Sequence, residues 1–491
     1  MNSLKILKTG LLCLLAICLA FCGGCSKIKK GEIPVTTSSK EALKLFAEGR
    51  QFSDNLHPRE AISALEKAIA LDSNFAMAYL YRGISENENT EKALKYVQKA
   101  VSLSELATEG ERLFAAGMQD LFNGNSVKGM EKFEKIVTLY PNDKQAYFWL
   151  SVILSNLQNY PKAVEVLEKA IAIDPNYTAA YNQLGYLCSN MGKYEDAEKA
   201  LKKYVELLPG ESNPYDSYAE VLMKEGKYQE SVENYRKAIS LKPDFYYSYT
   251  GLVGDLLFMG KPEEAMKEAR KLFDTADKDA YRQQALYLIS TIQIDGGRYN
   301  EALETMKKSL AISEKNQDVF GIAQIHNQMG TVLLEKLRQP AEAKTEFIKS
   351  FETLDKAPVS EEIKDNARQT FTFVMVRVAL KQGDIQTAKK KIEEYKIKAE
   401  ARRNPNEIRG YHALLGEIAL EEKKWDAAIS ELGQADVSSP WISLWLAKAY
   451  SGKGDAAKAK ELWKKAAYYN SLNNNFILMR QEVMKKTAEL K

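Results

Sequence analysis

The segment TAAYNQLGYLCSNMGKYEDAEKALKKYVELLPGE, residues 178–211, decides the fold of this chain. Tyr181, Leu184 and Cys188 follow one another at steps of three and four residues, which is the spacing of one apolar face of an α-helix. Gly192 comes next, and glycine is the residue that most readily ends a helix in the left-handed conformation. The remaining residues show a second helical pattern. The segment therefore predicts two helices joined by a short turn.

The same pattern recurs every 34 residues along the centre of the chain. Four prolines mark the period, namely Pro141, Pro175, Pro209 and Pro243. Twelve positions before each proline stands a small residue: Gly129, Ala163, Ala197 and Ser231. Eight positions before each proline stands a large one: Phe133, Leu167, Leu201 and Tyr235. Because proline cannot continue a helix, each one marks the end of a hairpin and the passage to the next. A fixed period of this length is typical of repeat proteins.

This pattern resembles the tetratricopeptide repeat, in which an aromatic residue, Leu-Gly, Ala, a large residue and Pro follow in a fixed order. In residues 178–211 the matching positions hold Tyr181, Leu184, Gly185, Ala197, Leu201 and Pro209. The resemblance implies an all-α fold. It implies a TPR-type α-solenoid, in which helix-turn-helix repeats form a right-handed superhelix.

The small residue of the second helix can be followed outward from the centre. It recurs at Ala61, Ala93, Ala265, Ala302, Ala343, Ala388, Ala428 and Ala459. About twelve repeats are therefore expected over residues 41–467, with the most regular at 110–277. From Ala265 onward the steps vary between 31 and 45 residues, which predicts longer helices or looser turns there. The spacing leaves open whether these later repeats continue one superhelix or hinge against it. Residues 468–491 are predicted to form a C-terminal capping helix.

The N-terminus shows the pattern of an export signal. Lys5 and Lys8 precede a short apolar run, which is too short to span a bilayer. Gly23 and Gly24 then precede Cys25, and here the chain resembles bacterial lipoprotein precursors, although Cys22 stands where Leu is usual. The resemblance implies a lipoprotein signal peptide at residues 1–24 and a lipid on Cys25. The alternative is an ordinary cleaved signal peptide with an incidental cysteine.

Residues 25–40 are polar and lack a helical period, so we expect a tether between the lipid and the folded body. In lipoproteins of bacteria with two membranes, Ser after the lipidated cysteine usually accompanies sorting to the outer membrane. Ser26 therefore implies a protein that is exported and anchored to the outer membrane, facing the periplasm.

Composition and motifs argue against catalysis and against nucleic-acid binding. The chain has 69 basic and 66 acidic residues without basic clusters, so we expect no nucleic-acid partner. Phosphate-binding loops, nucleophile elbows and zinc motifs are absent from the sequence, and its three histidines lie far apart. We therefore expect no enzyme activity, no metal and no cofactor. The sequence leaves the oligomeric state undetermined.

The resemblance also implies where partners bind, because the first helices of tetratricopeptide repeats line a concave groove. At the positions that face this groove, the candidate contacts for a peptide or helix are Phe148, Asn182, Tyr186, Asp216, Glu220, Met223 and Tyr247. The expected function is a membrane-anchored scaffold for protein–protein interaction in the bacterial envelope, in assembly or export machinery. The alternative is a glycan- or cell-wall-binding periplasmic protein, suggested by the 26 tyrosines, with a hydrolase as the last alternative.

Overall fold

A computed structural model describes residues 30–86, 90–402, 405–470 and 472–490. These described residues form 25 α-helices and contain no β-strand, which confirms the all-α fold class. The predicted signal peptide, Cys25 and Ser26 lie outside the described residues. The chain divides within one helix into two compact units, Met1–Val221 and Leu222–Lys491.

In the first unit ten complete helices follow one another. They are α1 (Lys40–Asp54), α2 (Pro58–Leu71), α3 (Ala76–Ile84), α4 (Thr90–Ser104), α5 (Glu109–Phe122), α6 (Ser126–Leu139), α7 (Lys144–Asn156), α8 (Tyr160–Ile173), α9 (Thr178–Asn190) and α10 (Tyr194–Leu207). Helix α11 (Ser212–Glu225) contains the boundary between the units.

In the second unit the helices become longer. They are α12 (Tyr228–Leu241), α13 (Tyr246–Phe258), α14 (Pro262–Thr275), α15 (Asp279–Asp295), α16 (Tyr299–Lys315), α17 (Val319–Val332), α18 (Pro340–Lys356), α19 (Glu361–Lys381), α20 (Ile385–Arg402), α21 (Pro405–Glu421), α22 (Trp425–Leu432), α23 (Pro440–Lys453), α24 (Ala456–Ala467) and α25 (Asn474–Glu489). The wider sequence spacing after Ala265 thus corresponds to longer helices, among them α19 with 21 residues. Helix α17 also continues into a π-helical turn, Leu333–Leu337.

Odd-numbered helices are the first helices of hairpins and even-numbered helices are the second ones. The turn within a hairpin depends on the predicted glycines, because Gly192, Gly226 and Gly260 have φ angles of 72°, 89° and 72°. The crossing of the two helices depends on a second kind of glycine. A Cβ atom on Gly185 would lie 2.4 Å from Cγ of Leu201, so only glycine lets the two helices approach this closely.

First helices of neighbouring hairpins also contact one another. This is seen for α1 with α3, α3 with α5 and α7 with α9 in the first unit. It is seen for α13 with α15, α19 with α21 and α21 with α23 in the second unit. Within each unit the first helices therefore share one surface, which we call the inner face. None of the described helices combines the length and the apolar character needed to cross a bilayer.

Residues 31–39 differ from the expected tether, because they pack against the first unit. The backbone N–H of Ile33 donates to Asp143 at 3.1 Å, and that of Thr36 donates to Glu111 at 2.8 Å. The side chain of Ile33 is buried. We call residues 31–39 the strap. The expectation of a free linker extending to residue 40 is therefore wrong for these residues.

Helix α25 does more than cover the last hairpin. It packs on α23 and α24, as expected of a cap, and also on α15, which lies ten helices earlier in the chain. Phe476, Leu478 and Val483 are almost completely buried. The helix is therefore part of the core of the second unit, because an apolar face of this size contributes several kcal/mol when it is removed from water.

Candidate functional site on the inner face

The predicted contact Phe148 lies in an aromatic cluster of the first unit. Its ring meets Trp149 and Tyr177 with centroid distances of 5.5 and 5.7 Å, both edge to face. Lys144 lies over the ring of Tyr177 at 4.5 Å. Phe148 itself is half-buried, so part of its ring remains open to a partner.

Tyr186 and Glu220 occupy the same position in consecutive repeats, and the structure brings them together. The Tyr186 hydroxyl donates a hydrogen bond of 3.0 Å to the Glu220 carboxylate. Burial, and then the charge of Glu220, raise the pKa of Tyr186 well above its usual value. The tyrosine is therefore a neutral donor that holds the carboxylate in place at any physiological pH.

Asn182 and Asp216 lie on the same two helices, α9 and α11, and both are half-buried. The Oδ1 atom of Asn182 is buried and has no hydrogen-bond partner among the described residues. A buried amide oxygen without a partner costs free energy. Because this atom is buried, it is not an exposed acceptor for a ligand in this structure.

The N-terminal ends of the neighbouring helices are contacted by a distant turn of the chain, which the sequence did not indicate. The turn between α1 and α2 reaches the N-terminal ends of α7, α9 and α11 through three side-chain pairs. These are Asp54 with Gln145 at 2.7 Å, Asn55 with Thr178 at 2.8 Å, and His57 with Glu211 at 3.0 Å. Burial raises the pKa of Asp54 to about 6, although the hydrogen bond from Gln145 opposes this shift. The partners are 91 to 154 residues apart, so no local pattern could have predicted them.

The two remaining candidates lie in the second unit and differ in exposure. Met223 is buried, and its sulfur lies 3.5 Å from the position that a Cβ on Gly254 would occupy. It is therefore not a surface contact in this structure. Tyr247 is 60% exposed and belongs to a row of tyrosines. Its ring lies 4.5 Å from that of Tyr246, which in turn lies 4.3 Å from Tyr281.

The second unit also contains a cavity of about 500 Å³, lined mainly by α17 and also by residues of α15, α16, α18, α19 and α25. One face of α17 supplies most of its polar wall, through Gln324, Asn327, Gln328 and Thr331, and also the ring of Phe320. Ile294, Met306, Leu354 and Leu478 contribute apolar surface. All of the residues that line this cavity are uncharged. Below it is called the amide pocket.

The side-chain amides of the amide pocket are available to a ligand. Within the described part of the chain, those of Gln324, Asn327 and Gln328 have no hydrogen-bond partner. Phe320 beside them is 52% exposed. The sequence carried one signal for this site, a polar stripe at helical spacing in residues 320–331. It was missed because the 34-residue register is lost in this part of the chain.

Elsewhere in the second unit, buried charges hold first helices together. The guanidinium of Arg377 lies 3.0 Å from Glu417 and 3.2 Å from Glu335, which belongs to the π-helical turn. It also lies over the rings of Trp441 and Trp445 at 5.5 and 5.4 Å. These contacts connect α19 with α21 and α23. They brace the inner face, because a buried cation is stable only when its partners are fixed.

Nothing in the described residues indicates catalysis or metal binding. They contain no cluster of His, Cys, Asp and Glu residues able to hold a metal ion. Each histidine pairs with a glutamate, and His326 is buried with Nδ1 2.6 Å from the Glu346 carboxylate. What the inner face offers is hydrogen-bonding and apolar surface. Such a surface suits binding.

Comparison with known proteins agrees with this fold. Three family models, each described as tetratricopeptide repeat, match residues 121–178, 157–219, 213–245 and 283–316. No curated protein matches the chain.

Three of the solved structures that match part of this chain are described as tetratricopeptide-repeat proteins. One from Thermus thermophilus is 21% identical, with 37% of this chain and 99% of that chain covered and a TM-score of 0.34. One from Parabacteroides merdae is 16% identical, with 51% and 99% covered and a TM-score of 0.34. YrrB, described as having an unusual peptide-binding site, is 22% identical, with 38% and 95% covered and a TM-score of 0.26. The family models thus detect tetratricopeptide repeats at residues 121–245 and 283–316 of an all-α, solenoid-type chain.

Proposed function

We propose that this protein is a membrane-anchored scaffold that binds other proteins through its inner face. The main support for this proposal is the amide pocket, a cavity in which side-chain amides without hydrogen-bond partners lie beside an exposed aromatic ring. Tetratricopeptide-repeat proteins in general mediate interactions between proteins. We assign the binding of a peptide segment to the second unit and to this pocket.

The chemistry of the amide pocket favours an uncharged, extended or helical peptide segment. Its volume of about 500 Å³ accommodates a few side chains. Gln324, Asn327 and Gln328 each offer a donor and an acceptor, which match the N–H and C=O groups of a peptide backbone. Phe320 supplies an aromatic contact of the kind that dominates binding energy at protein interfaces.

The proposed location is supported by the N-terminal sequence. Gly23, Gly24 and Cys25 favour lipidation after export, and Ser26 favours sorting to the outer membrane. A lipid-anchored protein on the periplasmic side would meet the machinery that assembles or exports envelope components. We propose that its partners belong to that machinery.

Site-specific photo-cross-linking in cells tests the proposed binding site. A photoreactive residue replaces Gln328 on α17, and a matched control replaces Thr345, which is exposed on the second helix α18. The proposal predicts a discrete cross-linked partner for the Gln328 position and none for the Thr345 position. Equal labelling at both positions, or none at either, would exclude the amide pocket as the binding site.

The tyrosine row supports a second candidate function, the binding of a glycan. Tyr246, Tyr247 and Tyr281 form adjacent ring contacts, and Tyr247 is exposed enough to stack on a sugar ring. Titration with soluble cell-wall fragments, followed by tyrosine fluorescence, would show saturable binding that Tyr247→Ala abolishes. A titration without saturation would remove this candidate.

A further inference from the structure

The strap fixes one edge of the first unit to the N-terminal chain. It runs past the turns that connect consecutive hairpins, at residues 72–75, 105–108 and 140–143. We call this the strap edge. The turns within hairpins, such as residues 123–125, lie at the other end of the helices and form the opposite edge. The strap edge is where the chain enters the folded body.

Several hydrogen bonds hold the beginning of the strap in place. The Asn142 side-chain amide donates to the Lys30 carbonyl at 2.7 Å, and the Asn142 backbone N–H donates to the Gly31 carbonyl at 2.9 Å. Farther along, Thr108 donates to the Pro34 carbonyl at 3.2 Å. Lys30, where the described residues begin, is thereby fixed next to the turn between α6 and α7.

Chain length then limits how far this turn can lie from a lipid on Cys25. Lys30 lies five positions after Cys25, and a fully extended chain of this length spans at most about 18 Å. Helix α6, with 14 residues, is about 20 Å long, so the opposite edge lies farther from the anchor by about that distance. A lipid on Cys25 therefore brings the strap edge to the bilayer surface.

The surface chemistry of the strap edge is compatible with contact to lipid headgroups. Leu106, in the turn between α4 and α5, is 95% exposed, and Leu71 and Leu139 are substantially exposed at the ends of α2 and α6. The sequence places Lys27, Lys29 and Lys30 just before the strap, where they can meet anionic headgroups. The opposite edge also exposes apolar side chains, so exposure alone does not select an edge. The strap does.

We propose that the strap edge of the first unit lies against an anionic bilayer surface, with Leu106 at the headgroup boundary. This inference rests on the proposed lipid anchor and adds an orientation to it. The lysines and the exposed leucines would add electrostatic and apolar contacts to those of the lipid anchor. The opposite edge and the binding surfaces are then left open to other proteins.

Depth-dependent quenching tests the orientation on the full-length lipidated protein. An environment-sensitive label is placed at Leu106→Cys or at Val127→Cys, in a Cys188→Ala background that removes the buried native thiol. Val127 is the matched control because it is also apolar and 54% exposed, but lies on the opposite edge of the same hairpin. Vesicles of phosphatidylethanolamine and phosphatidylglycerol carry a nitroxide quencher near the headgroup.

The inference predicts quenching several-fold stronger at position 106 than at position 127, in protein that floats with the vesicles. Flotation with equal quenching at both positions, or stronger quenching at 127, would overturn the orientation and leave the anchor intact. Protein that does not float would overturn the anchor, and the orientation would fall with it. The two failures are therefore distinguishable.

Discussion

The two terminal segments of this chain pack against their units by different chemistry. The strap lies on the first unit mainly through hydrogen bonds to the carboxylates of Asp72, Glu111 and Asp143. Helix α25 lies in the second unit through buried apolar side chains, and Arg480 adds two contacts of 2.8 Å to Asp295. A hydrogen bond contributes little net free energy because it replaces one to water, whereas buried apolar area contributes much. The strap should therefore detach locally, and α25 should not.

Removal of a buried side chain from α25 should have the largest effect on stability. Phe476→Ala removes a ring that is 1% exposed and lies 5.9 Å from Phe258. We expect a loss of about 3–5 kcal/mol in the free energy of unfolding of the second unit, because the substitution leaves a cavity in the core. Denaturant unfolding followed by tryptophan fluorescence measures it, since four of the five tryptophans belong to this unit.

Met484→Ala is the matched control on the same helix, because Met484 is 39% exposed. We expect it to lower the free energy of unfolding by less than about 1 kcal/mol. Equal, small effects for both variants would contradict the assignment of α25 to the core.

The second prediction concerns pH and the second unit. Burial, partly offset by a hydrogen bond with Ser231, raises the pKa of Asp255 on α13 to about 8. Between about pH 4 and 8 the folded state therefore holds a proton that the unfolded state has lost. The free energy of unfolding should fall as the pH rises through this window, by about 1.4 kcal/mol per unit. Unfolding midpoints at pH 5, 6 and 7 measure this slope.

Asp255→Asn removes the titrating group while keeping the size of the side chain. The variant should show a shallower dependence on pH over the same window and should be more stable than the native protein at pH 7. An unchanged slope would mean that Asp255 does not hold its proton in the folded state.

The third prediction concerns a substitution that should release the strap from the first unit. Glu111 is fully buried and accepts hydrogen bonds from the backbone N–H and the hydroxyl of Thr36, at 2.8 and 2.7 Å. Glu111→Ala should destabilise the docked strap by about 2 kcal/mol, because both donors lose their acceptor. Hydrogen exchange should show faster exchange of the Thr36 amide, while the core of the first unit keeps its protection.

Glu109→Ala is the control for this experiment. Glu109 lies on the same helix but is exposed, and it pairs with Lys135 instead of the strap. Its substitution should leave the exchange of the strap unchanged. Loss of protection throughout the first unit in the Glu111 variant would show that the strap is part of the core.

The smallest effect is expected when the pH is lowered, and it concerns the docking of the strap. Burial acts to raise the pKa of Asp72, but hydrogen bonds from Thr37, Ser38 and Asn74 outweigh it and hold the pKa below its usual value of 3.8. The stabilisation is present above that value and is lost as the pH falls through the lower, folded-state pKa. Strap amides should exchange faster, relative to the intrinsic rate, as the pH falls below about 4. Asp72→Asn should remove this dependence.

The sequence predicted those parts of the fold that depend on neighbouring residues. Proline, glycine and small residues at fixed positions gave the helix ends, the left-handed turns and the helix crossings, as Gly192 and Gly185 show. These features follow from local sterics, which a repeated pattern displays directly. The all-α solenoid could therefore be predicted before any contact was known.

Contacts between distant segments could not be predicted in this way. The strap, the pairing of Asp54 with Gln145 and the position of α25 join residues that are far apart in the chain and follow no period. For the same reason the site was predicted only in part. Met223 was placed in the groove by its repeat position but is buried. The amide pocket lies where the register is lost.

The most direct test of the account is cross-linking in intact cells at the native level of expression, with the co-purified proteins identified by mass spectrometry. The account predicts one consistent envelope complex for the native protein and its loss in Cys25→Ala, because the anchor brings the inner face to its partners. Recovery of no protein above background, or of the same proteins without the anchor, would contradict it.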